Sequence, residues 1–168
     1  MQKIGLGVSV GLVGLLGTWV LPTVHVLPSS FAHADMQLAQ SPAVEKKQNI
    51  IVHLYHSTND LHAAFMALKL ARGMQKKGNA QVTLLLTMEG VRLVDKKQPL
   101  NLRWGSDPMT LEKLYNEFVA AGGQVRVCPV CAAAVGITVA DLRPGAQMAQ
   151  GAQDIPSLVG AADKVINF

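Results

Sequence analysis

Short apolar runs alternating with helix-like segments constrain this chain more than any other feature. Residues 50–55 and 81–87 are nearly continuous stretches of Ile, Val, Leu and Thr. Runs of this length without polar alternation describe strands buried on both faces. Residues 124–127 form a third, shorter run. Between them, Ser57-Thr58-Asn59-Asp60 supplies cap candidates for a helix over 61–77, where Leu61, Phe65 and Leu68 recur at helical spacing and Gly78 follows the end. Residues 89–94 predict a short helical turn, and 95–105 a polar loop. Asp107-Pro108 is expected to open the next helix, with proline at its first position. That helix runs through Leu111, Leu114, Tyr115 and Phe118 and stops at Gly122-Gly123. A short strand at 145–149, a helix over 154–162 and a terminal strand at 164–168 complete the pattern. Strands alternating with helices predict an α/β chain: a three-layer sandwich on a mostly parallel, about five-stranded sheet of the flavodoxin or Rossmann kind.

The first residues follow the grammar of an export signal. Lys3 gives a short positive region, residues 4–21 are uncharged and apolar, and Ala32-His33-Ala34 forms a small-x-small cleavage pattern. The apolar run approaches the ~20 residues of a membrane helix, but Gly5, Gly7, Gly11, Gly14 and Gly17 and the Ala-x-Ala end favour a cleaved signal. The expected division is a signal peptide over 1–34 cut after Ala34, a flexible tether over 35–48, and one domain over 49–168 in a bacterial periplasm. No membrane association beyond that signal is expected.

A formal net charge of +4 over 168 residues is too mild, and its lysine pairs too scattered, for a nucleic-acid surface. Aromatics are only 5% of the chain, which leaves no base-stacking platform. No phosphate-binding glycine loop, Ser-His-Asp order or paired catalytic carboxylates can be read, and no cofactor is called for.

The chemistry-bearing residues are the only two cysteines, in Cys128-Pro129-Val130-Cys131. They follow the third strand and precede a small-residue run, so Cys128 is expected at a helix N-terminus, where N–H groups and the helix dipole favour thiolate. In an oxidising compartment the pair can also rest as a disulfide, although so small a loop staples almost nothing. The carboxyl ends of parallel strands are where sites gather. That edge is expected to unite Cys128 and Cys131 with His56 after the first strand and Glu89-Gly90 after the second. His56 is a proton-partner candidate for Cys128. His53 is expected to pack beneath a helix and His62 to sit on an exposed helix position. Glu89 is expected to serve as a helix-start carboxylate, and Met66, Met74, Met88, Met109 and Met148 to fill core gaps. Two cysteines are half of a tetrahedral zinc set, but no second C-x-x-C or H-x-x-x-H accompanies them, so no metal ligands are assigned.

These pieces resemble the DsrE/DsrF-like family, and within it the YchN-like branch. The resemblance rests on the strand, polar turn and long helix over 50–77, on Met88-Glu89-Gly90-Val91 after a strand, on Cys128-x-x-Cys131 followed by Gly136-Ile137, and on the ending Ala162-Asp163-Lys164-Val165-Ile166-Asn167-Phe168. It implies a three-layer α/β fold and homo-oligomers, commonly trimers or hexamers. It also implies a cysteine, eight positions before a glycine, that accepts sulfur as a persulfide and relays it. That role falls on Cys128, with sulfur donor and acceptor proteins or small thiols as partners. Cys131 belongs to only part of the family. Two other readings stay open: a dithiol–disulfide redox protein using Cys128 and Cys131, and a non-catalytic oligomer that binds a ligand or metal. Thioredoxin-like order is disfavoured because there the motif follows an early strand.

Overall fold

The computed structural model describes residues 46–168; the expected signal peptide and most of the expected tether lie outside the described residues. Five strands, β1 (Gln48–Leu54), β2 (Ala80–Leu86), β3 (Gln124–Val127), β4 (Ala146–Met148) and β5 (Lys164–Asn167), form one sheet in the order β4-β3-β2-β1-β5. Every pairing is parallel, so the sheet is wholly rather than mostly parallel. Gln48, placed in the tether by sequence, already belongs to β1 and donates its N–H to Asn79 O at 3.1 Å.

Helix α1 (Leu61–Lys77) starts where the sequence places it, because Asp60 Oδ1 accepts from the Ala63 N–H at 2.9 Å. A cap of this kind contributes about 1 kcal/mol. Helix α2 (Leu111–Ala120) starts later than expected. Thr110 is its cap, accepting from the Lys113 N–H at 3.1 Å, while Leu102 O and Leu100 O take the N–H groups of Leu111 and Glu112. Asp107 is engaged elsewhere: its Oδ1 accepts from Met109 N–H at 2.9 Å, and its Oδ2 pairs with Lys69 of α1. A loop that folds back to offer its carbonyls moved the helix start past Pro108.

Alternation along the strands divides the sheet into two faces. Val52, Leu54, Val82, Leu84, Leu86, Val125 and Val127 pack against Phe65 and Leu68 of α1 and Leu111, Leu114 and Phe118 of α2 in one core. Gln75 ties this layer at one end. Its Oε1 accepts from Val82 N–H at 2.9 Å and its Nε2 donates to Ala121 O at 3.1 Å. Two further short helices are α3 (Pro129–Ala134) and α4 (Ile155–Gly160). The opposite face carries α4, which lies over Ile51, Thr83 and Gln124 with Ser157 and Leu158 turned to a shared hollow. The sequence runs that read as buried on both faces therefore meet a deep layer on one side and a thin one on the other.

Two side-chain expectations change with this division. His53 points away from α1 and α2, half-buried, with its Nε2 2.9 Å from Thr87 Oγ1 and its ring 4.2 Å from that of Tyr55. Burial lowers its pKa, opposed by Asn167. Met74, Met109 and Met148 do pack on the core, whereas Met66 and Met88 are exposed.

Candidate functional site

The site is built by the way β3 ends. Its ladder extends one residue beyond the strand, with Cys128 N–H donating to Leu86 O at 2.9 Å. The chain then turns into α3, for which Cys128 is the N-cap and Pro129 the first residue. Proline belongs at that position because the missing N–H would have no intrahelical partner there. Cys128 Sγ accepts from the Cys131 N–H at 3.5 Å. Gly136 closes the helix with φ 75°. Gly136 N–H then reaches Ala133 O at 3.1 Å and Ile137 N–H reaches Ala132 O at 2.9 Å, with Ile137 buried beneath. This is the Schellman arrangement. The eight-residue spacing from Cys128 to Gly136 is thus the length of one short helix together with both of its caps.

The second wall is the 3-10 segment after β2, Met88–Val94. Gly90 N–H donates to Tyr55 O at 2.9 Å, and a Cβ added at Gly90 would stand well inside contact distance of the Leu54 carbonyl oxygen. The glycine is what lets the segment lie against the end of β1. Glu89 pairs with Arg92 one turn on, at 2.6 Å, which accounts for its carboxylate locally. Met88 holds φ 50°, the left-handed region, and is 63% exposed.

The sheet therefore brings the ends of β1, β2 and β3 to one edge, as the strand order requires. His56 lies there, half-buried, with its Nδ1 3.2 Å from Asn59 Nδ2. Cys128 is 9% exposed, Cys131 is more open, and Val130 between them is 77% exposed. Both thiols are free of any disulfide. His62, exposed on α1 as expected, stacks on Trp104 with ring centroids 4.0 Å apart. Among the described residues no group of three His, Cys, Asp or Glu is disposed to hold a metal ion.

The electrostatics correct one expectation. Burial, and next the side-chain hydrogen bond with Cys131, raise the Cys128 pKa; the N–H groups of Cys131 and Val130 act the other way and do not prevail. A helix of six residues offers a small dipole, and a thiol largely buried at the strand end loses hydration that a thiolate needs. Cys128 is thus predominantly a thiol at neutral pH. The helix start is legible in the sequence, whereas the exposure of the thiol is set by packing in the folded chain.

A five-stranded parallel sheet with a buried cysteine capping a helix at its carboxyl edge defines a class of small α/β proteins with a sulfur-bearing edge. Within that class, the chain belongs to the DsrE/DsrF-like family, whose family model matches residues 48–168. The YchN protein from Escherichia coli is similar in fold, with 20% identity and a TM-score of 0.59 over 73% of this chain and 99% of that one. MTH1491 from Methanobacterium thermoautotrophicum, a protein of unknown function, is similar at 13% identity and a TM-score of 0.55, over 73% of this chain and 100% of that one. No curated protein matches the chain.

Proposed function

We propose that this protein carries sulfane sulfur as a persulfide on Cys128. The observation that carries the reading is the placement of Cys128 as N-cap of α3 at the carboxyl edge of the sheet, with the Cys131 N–H on its sulfur. Membership of a family generally linked to sulfur relay supports it. In the proposed cycle a proton leaves Cys128, with His56 as its candidate acceptor. The thiolate attacks the outer sulfur of a donor persulfide; that S–S bond breaks, and the donor thiolate departs with a proton. An acceptor thiolate later attacks the outer sulfur of Cys128–S–SH and frees Cys128. Alternatively, Cys131 thiolate attacks the Cys128 sulfur of the persulfide, releasing hydrosulfide and leaving a Cys128–Cys131 disulfide. The exposed Val130 between the cysteines gives a partner protein an apolar contact beside the thiol. The reading includes export through residues 1–34 into the periplasm and assembly as a homotrimer or homohexamer.

The test is the intact mass of protein purified without reductant from the periplasm, before and after polysulfide. Gain of one sulfur, removed by reductant and absent in Cys128→Ser, is the expected result. Uptake unchanged in Cys128→Ser overturns the proposal. A second reading, dithiol–disulfide exchange, draws on the two free thiols lying three residues apart, with the Cys131 N–H on the Cys128 sulfur. It predicts instead a chain two hydrogens light that ignores polysulfide.

A further inference from the structure

On the thinly covered face of the sheet, one cross-strand row runs through Asn167, His53, Leu85, Arg126 and Gln147. Leu85 at its centre is fully buried, and Arg126 beside it is 7% exposed. Among the described residues, no carboxylate pairs with this guanidinium. Its Nε has no hydrogen-bond partner among the described residues. Nη1 reaches Val125 O at 3.5 Å and Nη2 reaches Gln124 Oε1 at 3.3 Å, both long and both neutral. The ion pairs of the described residues use Lys69, Arg72, Lys76, Arg92 and Lys97, and leave Arg126 out. Burial lowers its pKa with no neighbouring acid opposing, yet a guanidinium remains charged in proteins. A buried cation without a counter-charge is unfavourable unless an anion joins it.

Arg126 lines a hollow of about 480 Å³. Val139, Leu142 and Met148 give it an apolar side, and Gln147, Gln150 and Gln153 supply amide groups. The space is larger than a bare carboxylate needs, and the apolar residues suit a short hydrocarbon body.

We infer that this hollow binds a small organic carboxylate or sulfonate, its charged head held two-pronged by Arg126 and its body against Val139, Leu142 and Met148. A planar guanidinium matches two oxygens of either head group. The site is separate from the persulfide reading and stands or falls without it.

Thermal unfolding of the purified protein in butyrate or propane-1-sulfonate, against sodium chloride at equal ionic strength, tests the inference. The expected result is a saturable rise in Tm of about 5 °C, with affinity at least about tenfold weaker in Arg126→Met. A second variant keeps the test decisive if Arg126→Met does not fold. Val139→Glu puts a carboxylate at the exposed rim of the hollow; it should raise Tm without added anion and remove the further rise. A response equal to that of chloride, or one retained in Arg126→Met or Val139→Glu, overturns the inference. So does self-association that supplies the carboxylate from a second copy, seen as Arg126-dependent sedimentation with no response to added anion.

Discussion

The Cys131 N–H donates to Cys128 Sγ at 3.5 Å across the first turn of α3, and Cys128 in turn caps the helix that carries Cys131. Cys128 is also the more enclosed residue of the pair, since it is buried and Cys131 is only half so. Helix formation and thiol burial are therefore coupled, and what loosens α3 should free the thiol.

The raised pKa of Cys128 predicts slow reaction at neutral pH. In the parent protein, alkylation of Cys128 by iodoacetamide, followed by mass spectrometry that reads Cys128 and Cys131 separately, should accelerate with a midpoint above 9.0, the ordinary value. The pH profile of the rate gives that midpoint directly. A midpoint at or below 9.0 would show that the N–H groups of the turn outweigh burial.

Gly136→Ala tests the coupling. The φ of 75° places a Cβ in the left-handed region, at a cost of about 1 kcal/mol. Urea unfolding should show that loss, and Cys128 should alkylate faster as α3 opens more often. Unchanged alkylation alongside lowered stability would separate the C-terminal cap from the thiol.

Gly90→Ala should be the more damaging glycine substitution, because the added methyl meets the Leu54 backbone rather than open space. A loss of about 2 kcal/mol or more is expected, since a backbone carbonyl cannot turn aside as a side chain can. Equilibrium denaturation would reveal it, and a variant as stable as the parent would contradict the close approach.

Glu117 joins α2 to α1 by accepting from Lys76 at 2.8 Å and Arg72 at 2.6 Å, and these bonds hold its pKa down at about 2. A carboxyl depressed in the folded state contributes stability above its unfolded value of 4.5, and that contribution fades as pH falls toward 2. Glu117→Gln should therefore be less stable than the parent at neutral pH, and the gap should narrow below pH 4.5. A gap constant from neutral pH down to about pH 3 would mean that the pair contributes nothing through charge.

The sequence by itself determined the elements and their order. Apolar runs, the Asp60 cap, Gly78 and Gly122 carry local information, and α1 spans the predicted residues because its signals lie within a few positions of its ends. The same local grammar located the cysteine turn, since a strand end, proline at the first helical position and a glycine eight residues on are read along the chain. Tertiary structure alone decided the start of α2, because carbonyls of Leu100 and Leu102 return from a loop. It alone placed α1 and α2 on one face and the short α4 on the other, turning His53 and Arg126 toward the thin side. The Cys128 pKa belongs to the same category. Burial is the first cause of its rise, and burial is a property of the folded chain.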